Sequence, residues 1–156
     1  MYLNSMNDKK TTEFKILIRP FSFPDDYEDI YDLWKTAGDG IHLRRSDDAD
    51  EIEKKLTRDP DLFLLAEADG VVIGSVLGGF DGRRGMIYHL AIAESHRRHG
   101  IAAMLVDELE ERLRAKGCIR YYLLVTKDND AAIRFYEKRG WENMDDLRVF
   151  AKDLIL

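Results

Sequence analysis

The chain has one cysteine, Cys118, in 156 residues, so no disulfide can close within it. Cys118 falls in Lys116-Gly117-Cys118-Ile119, where a helix should hand over to a strand. No His/Asp pair accompanies it to activate a nucleophile, so a small buried residue is the expectation. Cysteine and histidine at zinc-site spacing are also missing, and no metal is expected. No apolar run approaches the roughly 20 residues that span a bilayer. Residues Met1 to Thr12 are polar and lack an apolar signal core, which predicts a loose tail and a cytoplasmic protein. A basic excess is absent: 24 Lys and Arg face 30 Asp and Glu, for a net charge of -6. That argues against general nucleic-acid binding and suits a cationic small molecule or a basic peptide. No internal repeat or low-complexity segment is visible. The length fits one domain, residues 13–156, with a real core.

What is present reads as alternating elements. Phe14 to Arg19 alternates apolar and polar up to Pro20, a first strand. Tyr27, Ile30, Tyr31 and Trp34 share one helical face that ends near Gly38, and Asp47 to Arg58 is a second, charged helix stopped by Asp59-Pro60. Two apolar runs, Leu62 to Ala66 and Val71 to Leu77, flank Ala68-Asp69-Gly70, a strong hairpin signal. A turn at Asp81 to Gly85 leads to a third strand ending at Ile92. The helix from Gly100 carries Ile101, Met104, Leu105, Leu109 and Leu113 on one side, with Gly117 past its end. Tyr121 to Val125 is a strand, Asn129 to Arg139 a short helix, and Leu147 to Ile155 a final strand that offers a pairing edge for a homodimer. An antiparallel meander followed by β-α-β predicts an α/β class, a mixed, mostly antiparallel sheet flanked by helices.

The chemistry concentrates at Arg97-Arg98-His99-Gly100-Ile101-Ala102, a basic glycine loop between the strand Met86 to Ile92 and the long helix. Backbone N–H groups and a helix N-terminus there would attract phosphate. No Gly-Lys-Ser/Thr follows, which excludes a phosphate-loop NTPase. A second constellation, Asn129, Ala132, Phe135-Tyr136 and Gly140-Trp141, occupies the next strand-to-helix unit.

Together, in this order and separation, the two segments resemble the GNAT acetyltransferase family. Its first motif matches at Arg97, Gly100 and Ala102, and its second at Asn129 to Trp141. The resemblance implies the GNAT acyl-CoA N-acyltransferase fold and acetyl-coenzyme A as donor. It implies that amides near Arg98, His99, Gly100, Ile101, Ala102 and Ala103 hold the pyrophosphate. Leu90, Ala91 and Ile92 would bond the pantetheine arm as an added strand, and an amide such as that of Ile92 would polarise the thioester carbonyl. Asn129 would bond the same arm. Tyr136 would act as general acid toward the departing thiolate, with Phe135 turned inward.

The acceptor is expected to be a primary amine, of a small molecule or a peptide. On the order of one alkylamine molecule in a thousand is neutral at pH 7, so its proton needs an acceptor. Many family members place a Glu or His for this on the strand before the loop, at positions that here fall on Met86 and Tyr88. Tyr88 would then line the acceptor site or anchor a water relay. His89 is adjacent, but strict alternation would turn it to the opposite face. Glu67 and Asp81 are further candidates. The acceptor would lie over Trp34 to Arg45, with Asp39, His42, Arg44 and Arg45, and the acidic run Asp47-Asp48-Asp50-Glu51 either attracts a cation or is a solvated helix start. A protein N-terminal acetyltransferase is an alternative, of which the ribosomal-protein subtype is disfavoured, because Leu124 stands where the resemblance to that subtype would call for Glu. The competing class is a non-catalytic coenzyme A binder or sensor.

Overall fold

The computed structural model describes residues 15–38 and 40–155, so the tail, Phe14 and Asp39 lie outside the described residues. These fall into two compact units, one reaching to Leu124 and the other starting at Val125. The first holds β1 (Ile16–Pro20), α1 (Tyr27–Thr36), α2 (Ala49–Arg58), β2 (Phe63–Ala68), β3 (Val71–Phe80), β4 (Gly85–Ile92), α3 (Ile101–Ala115) and β5 (Tyr121–Leu123). Short 3-10 turns at Arg45–Asp47 and Glu94–His96 precede α2 and α3. The sheet runs β1-β2-β3-β4-β5. Its first three pairings are antiparallel and β4/β5 is parallel, as a β-α-β crossover through α3 requires. This is the expected mixed α/β architecture. Among the described residues no helix is long and apolar enough to cross a membrane.

β2 is an inner strand, and every residue from Leu62 to Ala66 is fully buried. At the β2–β3 hairpin Asp69 and Gly70 both take positive φ, 50° and 80°, the backbone that a two-residue hairpin turn demands. One sheet face receives α3, whose Leu105 and Leu109 press onto β3 where Gly74 and Gly78 have no Cβ. The other face receives α1 and α2. Ile30, Leu33, Trp34 and Ile52 pack there against Phe21, Phe63, Leu65, Leu77 and Ala91. Trp34 stacks on Phe63 at 5.8 Å and donates its Nε1–H to buried Ser75 Oγ at 3.1 Å. Arg19 ties β1 to the start of α1, holding both Asp26 carboxylate oxygens at 2.7 Å and Glu67 of β2 at 2.8 Å.

The second helix begins later than its charge pattern predicts. Residues 45–47 turn as 3-10 and α2 starts at Ala49, because the Asp47 carboxylate is drawn inward, as described below. β5 stops at Leu123 rather than Val125. Cys118 is half-buried rather than buried, its thiol 3.3 Å from the Arg120 carbonyl.

In the second unit α4 spans Asp130–Lys138, capped by Asn129, whose side-chain oxygen accepts from the Ala132 N–H at 3.2 Å. Gly140, at φ 84°, ends it and returns the chain so that the Trp141 N–H bonds the Tyr136 carbonyl. The expected final strand over Leu147 to Ile155 does not form, and with it goes the strand-paired dimer edge. Leu147, Val149, Phe150 and Leu154 are all more than half exposed. Alternation is a strand pattern only where a neighbour supplies a ladder of N–H and C=O groups, and the segment makes none.

Candidate active site

β4 carries the centre of the site because it loses its partner halfway along. Pairing with β5 covers Gly85, Met86 and Ile87, and among the described residues no strand pairs with β4 on that side from Tyr88 to Ile92. The Ala93 N–H donates to Ile73 of β3 at 2.7 Å, so strand alternation turns the N–H groups of Ile92 and Leu90 away from β3, into the gap. Leu90 to Ile92 thus presents an extended edge of the kind that accepts another extended chain.

The edge runs directly into the glycine loop. Arg98 and Gly100 take left-handed φ values of 64° and 76°, and Gly100 begins α3 with no side-chain cap. The first helical hydrogen bond comes from the Met104 N–H to the Gly100 carbonyl, so the N–H groups of Ile101, Ala102 and Ala103 have no partner within the helix. No acidic residue stands in the first turn to compete for them. This is an anion cradle at the end of the free edge. The Arg97 side chain is used differently. It donates to the Ile92 carbonyl at 3.2 Å and to the Ala37 carbonyl at 2.7 Å, linking the loop to the end of α1.

On the α1/α2 face, a β-bulge corrects the expectation that His89 turns away from Tyr88. Leu77 pairs with His89 and Gly78 with Ile87, leaving Tyr88 as one extra residue on β4. The extra residue breaks the alternation. Tyr88 lies over Gly79, its ring 3.1 Å from where a Cβ would sit, with Lys55 Nζ 3.3 Å from that same point. His89 faces the same helices: its ring meets Trp34 edge-on at 4.8 Å, and its Nε2 lies 2.7 Å from Asp47 Oδ1. Tyr88 is 56% exposed, whereas the His89 side chain is 15% exposed and that of Asp47 6%. Burial alone would raise the Asp47 carboxyl, but hydrogen bonds from His89 and the Arg44 N–H, with the charges of both residues, hold it below the usual carboxylate range. Lys55 pairs with Asp59, yet burial pulls its ammonium below the usual lysine range.

The sequence pattern of the Acetyltransferase (GNAT) family matches residues 27–141. The chain belongs to that family. An acetyltransferase of Sodalis glossinidius is 44% identical over 132 residues, covering 84% of this chain and 91% of that protein. Among solved structures, Ard1 from Thermoplasma volcanium superposes with a TM-score of 0.70 at 29% identity, covering 80% of this chain and 81% of the other. An N-acetyltransferase from Thermoplasma acidophilum in complex with coenzyme A gives a TM-score of 0.70 at 23% identity, over 82% of this chain and 90% of that one.

Within this acetyltransferase the remaining candidates occupy distinct settings. Glu67 is committed to Arg19. Asp81 is a turn residue, accepting the Arg84 and Arg83 N–H groups at 2.7 Å, and these bonds lower its pKa. His42, Arg44 and Arg45 are exposed between α1 and α2. In the second unit the expected orientation of the aromatic pair is reversed: Tyr136 is the buried ring, at 8% exposure, and Phe135 is half-buried. The cause is the turn at Gly140, which brings Trp141 edge-on to Tyr136 at 5.3 Å. Burial pushes the Tyr136 hydroxyl up to about 12, with Arg139 pulling the other way. Asp47 is the residue that sequence reasoning missed. It lies in an acidic run, and only its burial separates it from its neighbours.

Proposed function

We propose that this GNAT protein is an N-acetyltransferase that moves acetyl from acetyl-coenzyme A to a primary amine, by direct attack through a tetrahedral intermediate. The observation that carries the reading is the unpaired edge of β4 leading straight into an uncapped helix start. An extended pantetheine arm suits the first and a pyrophosphate the second. The Leu90 and Ile92 N–H groups are the donors we assign to the arm and the thioester carbonyl. The Ile101, Ala102 and Ala103 amides, with Arg98 and His99 beside them, are assigned to the pyrophosphate. The roles given to Asn129 and Tyr136 rest on the second motif: Asn129 keeps its amide N–H groups for the arm while its oxygen caps α4, and Tyr136 hydrogen-bonds the departing sulfur. Residues 13–156 then act as one catalytic domain, working in the cytoplasm.

Tyr88 and His89 stand on the α1/α2 face of the same strand, where the amine would approach. Glu67 pairs with Arg19 and Asp81 accepts two N–H groups of its own turn, which favours His89 over them as the proton acceptor. The test mixes the purified full chain with acetyl-coenzyme A and spermidine, tyramine, kanamycin or a short peptide with a free N-terminus, and follows free thiol. Amine-dependent release supports the reading. Coenzyme A binding without release for any of these amines would instead favour a sensor.

A further inference from the structure

We propose that Asp47 is a positioning residue that makes His89 Nδ1 the proton acceptor of acetyl transfer. The inference rests on the reading above and deepens it. Asp47 is the better part of a clamp. One carboxylate oxygen accepts the Arg44 N–H at 2.9 Å, the other meets His89 Nε2 at 2.7 Å, and the Asp47 carbonyl accepts the Tyr27 hydroxyl at 2.9 Å. An ionised carboxylate only accepts hydrogen bonds, so Nε2 carries a hydrogen, and in the neutral ring Nδ1 is the bare nitrogen. Among the described residues no hydrogen bond is made to Nδ1. The ring is held edge-on against Trp34, which fixes its plane. The bulge at Tyr88 sets this imidazole beside the unpaired stretch of β4.

The groups around the ring are few. From the turn before α2 there is Asp47, with Arg44 behind it; from α1, Trp34 and, through Asp47, Tyr27; from β3, apolar Leu77; and on β4 itself, Tyr88. In the reaction the nitrogen–carbon bond forms, and the carbon–sulfur bond breaks with its electron pair on sulfur. An ammonium sheds two protons in becoming an amide. One ends on sulfur and the other in solvent, with Nδ1 as the relay.

The decisive variant is Asp47→Asn. The Arg44 N–H is a fixed donor and keeps the carboxamide oxygen, so the NH2 group faces Nε2 and forces the hydrogen onto Nδ1. Shape is preserved and the tautomer is inverted. We expect kcat with the best amine of the panel to fall about 100-fold or more, as loss of general base catalysis predicts. KM for acetyl-coenzyme A should hold within about twofold. The double variant should be no slower than His89→Gln alone. Imidazole nitrogen NMR should show the Nε2–H tautomer in the wild type and Nδ1–H in Asp47→Asn. If Asp47→Asn keeps its kcat and loses only thermal stability, the pair is structural and the proposal is overturned. The proposal also fails if His89→Gln keeps its kcat or if the neutral ring of the folded wild type carries Nδ1–H, and both results stand even if Asp47→Asn does not fold. A wild type that acetylates none of the amines overturns the functional reading itself, an outcome distinct from a working enzyme indifferent to Asp47.

Discussion

Replacing Tyr136 by Phe removes one oxygen and leaves the ring packed against Phe135 and Trp141. Burial raises the hydroxyl to about 12, whereas an ordinary thiol titrates near 8.5. Full proton transfer from this phenol to a thiolate is therefore uphill by about 3.5 pH units, roughly 5 kcal/mol. In the role proposed above, Tyr136 would then act by donating a hydrogen bond to the sulfur as charge builds on it. A hydrogen bond to a charged group contributes about 1.5–3 kcal/mol, so kcat for Tyr136→Phe should drop about 10- to 150-fold, with KM for acetyl-coenzyme A unchanged. The sign of the pH effect follows: an acid works protonated, and a raised pKa keeps it protonated, so Tyr136 should cause no alkaline fall in kcat between about pH 7 and 10. Thiol release measured across that range checks both points. Unchanged kcat would remove Tyr136 from the sulfur, and an alkaline limb that vanishes in Tyr136→Phe would refute the burial argument.

Gly78→Ala would place a Cβ 2.5 Å from Leu109 Cδ1 and 3.1 Å from the Leu62 carbonyl. Overpacking of that kind costs about 1–3 kcal/mol, so a thermal melt should fall by roughly 2–12 °C while donor affinity is kept. Gly100→Ala has open space around the new methyl but a φ of 76°, which costs about 1–2 kcal/mol. That strain is present with or without the donor, so a thermal melt should fall by roughly 2–8 °C, and an unchanged melt would mean that the backbone at Gly100 relaxes to another conformation. Asp26 has its pKa lowered, first by the Arg19 hydrogen bond and also by the Ser22 N–H, against the opposing effect of burial. A lowered carboxyl stabilises the fold above its unfolded value near about 3.9 and loses that share as pH falls through the folded value. Urea midpoints should thus decline below about pH 4, and less steeply in Asp26→Asn.

The parts legible in the sequence are those decided locally. The Asp69-Gly70 hairpin, the apolar stripe of α3 and the glycine loop that opens it each need only residues close by in the chain. What was hidden depends on a distant partner. The bulge at Tyr88 has no residue signature, because an extra residue exists only relative to the register of β3, and counting by twos therefore put His89 on the wrong face. Asp47 looked like its acidic neighbours until a histidine 42 positions away and the Arg44 N–H turned it inward. Leu147 to Ile155 had a strand's alternation without a ladder to join. The choice between Phe135 and Tyr136 as the inward ring turned on where Gly140 returned Trp141.

The interrupted pairing of β4 also bears on solubility. A strand edge that can hold a pantetheine arm can also take a stretched segment of another polypeptide, since backbone groups do not discriminate between them. Arg97 blunts one end of this edge by occupying the Ile92 carbonyl, but the stretch before it stays receptive. Saturating coenzyme A should therefore slow self-association during concentration or heating, so that the substrate doubles as a guard against misassembly.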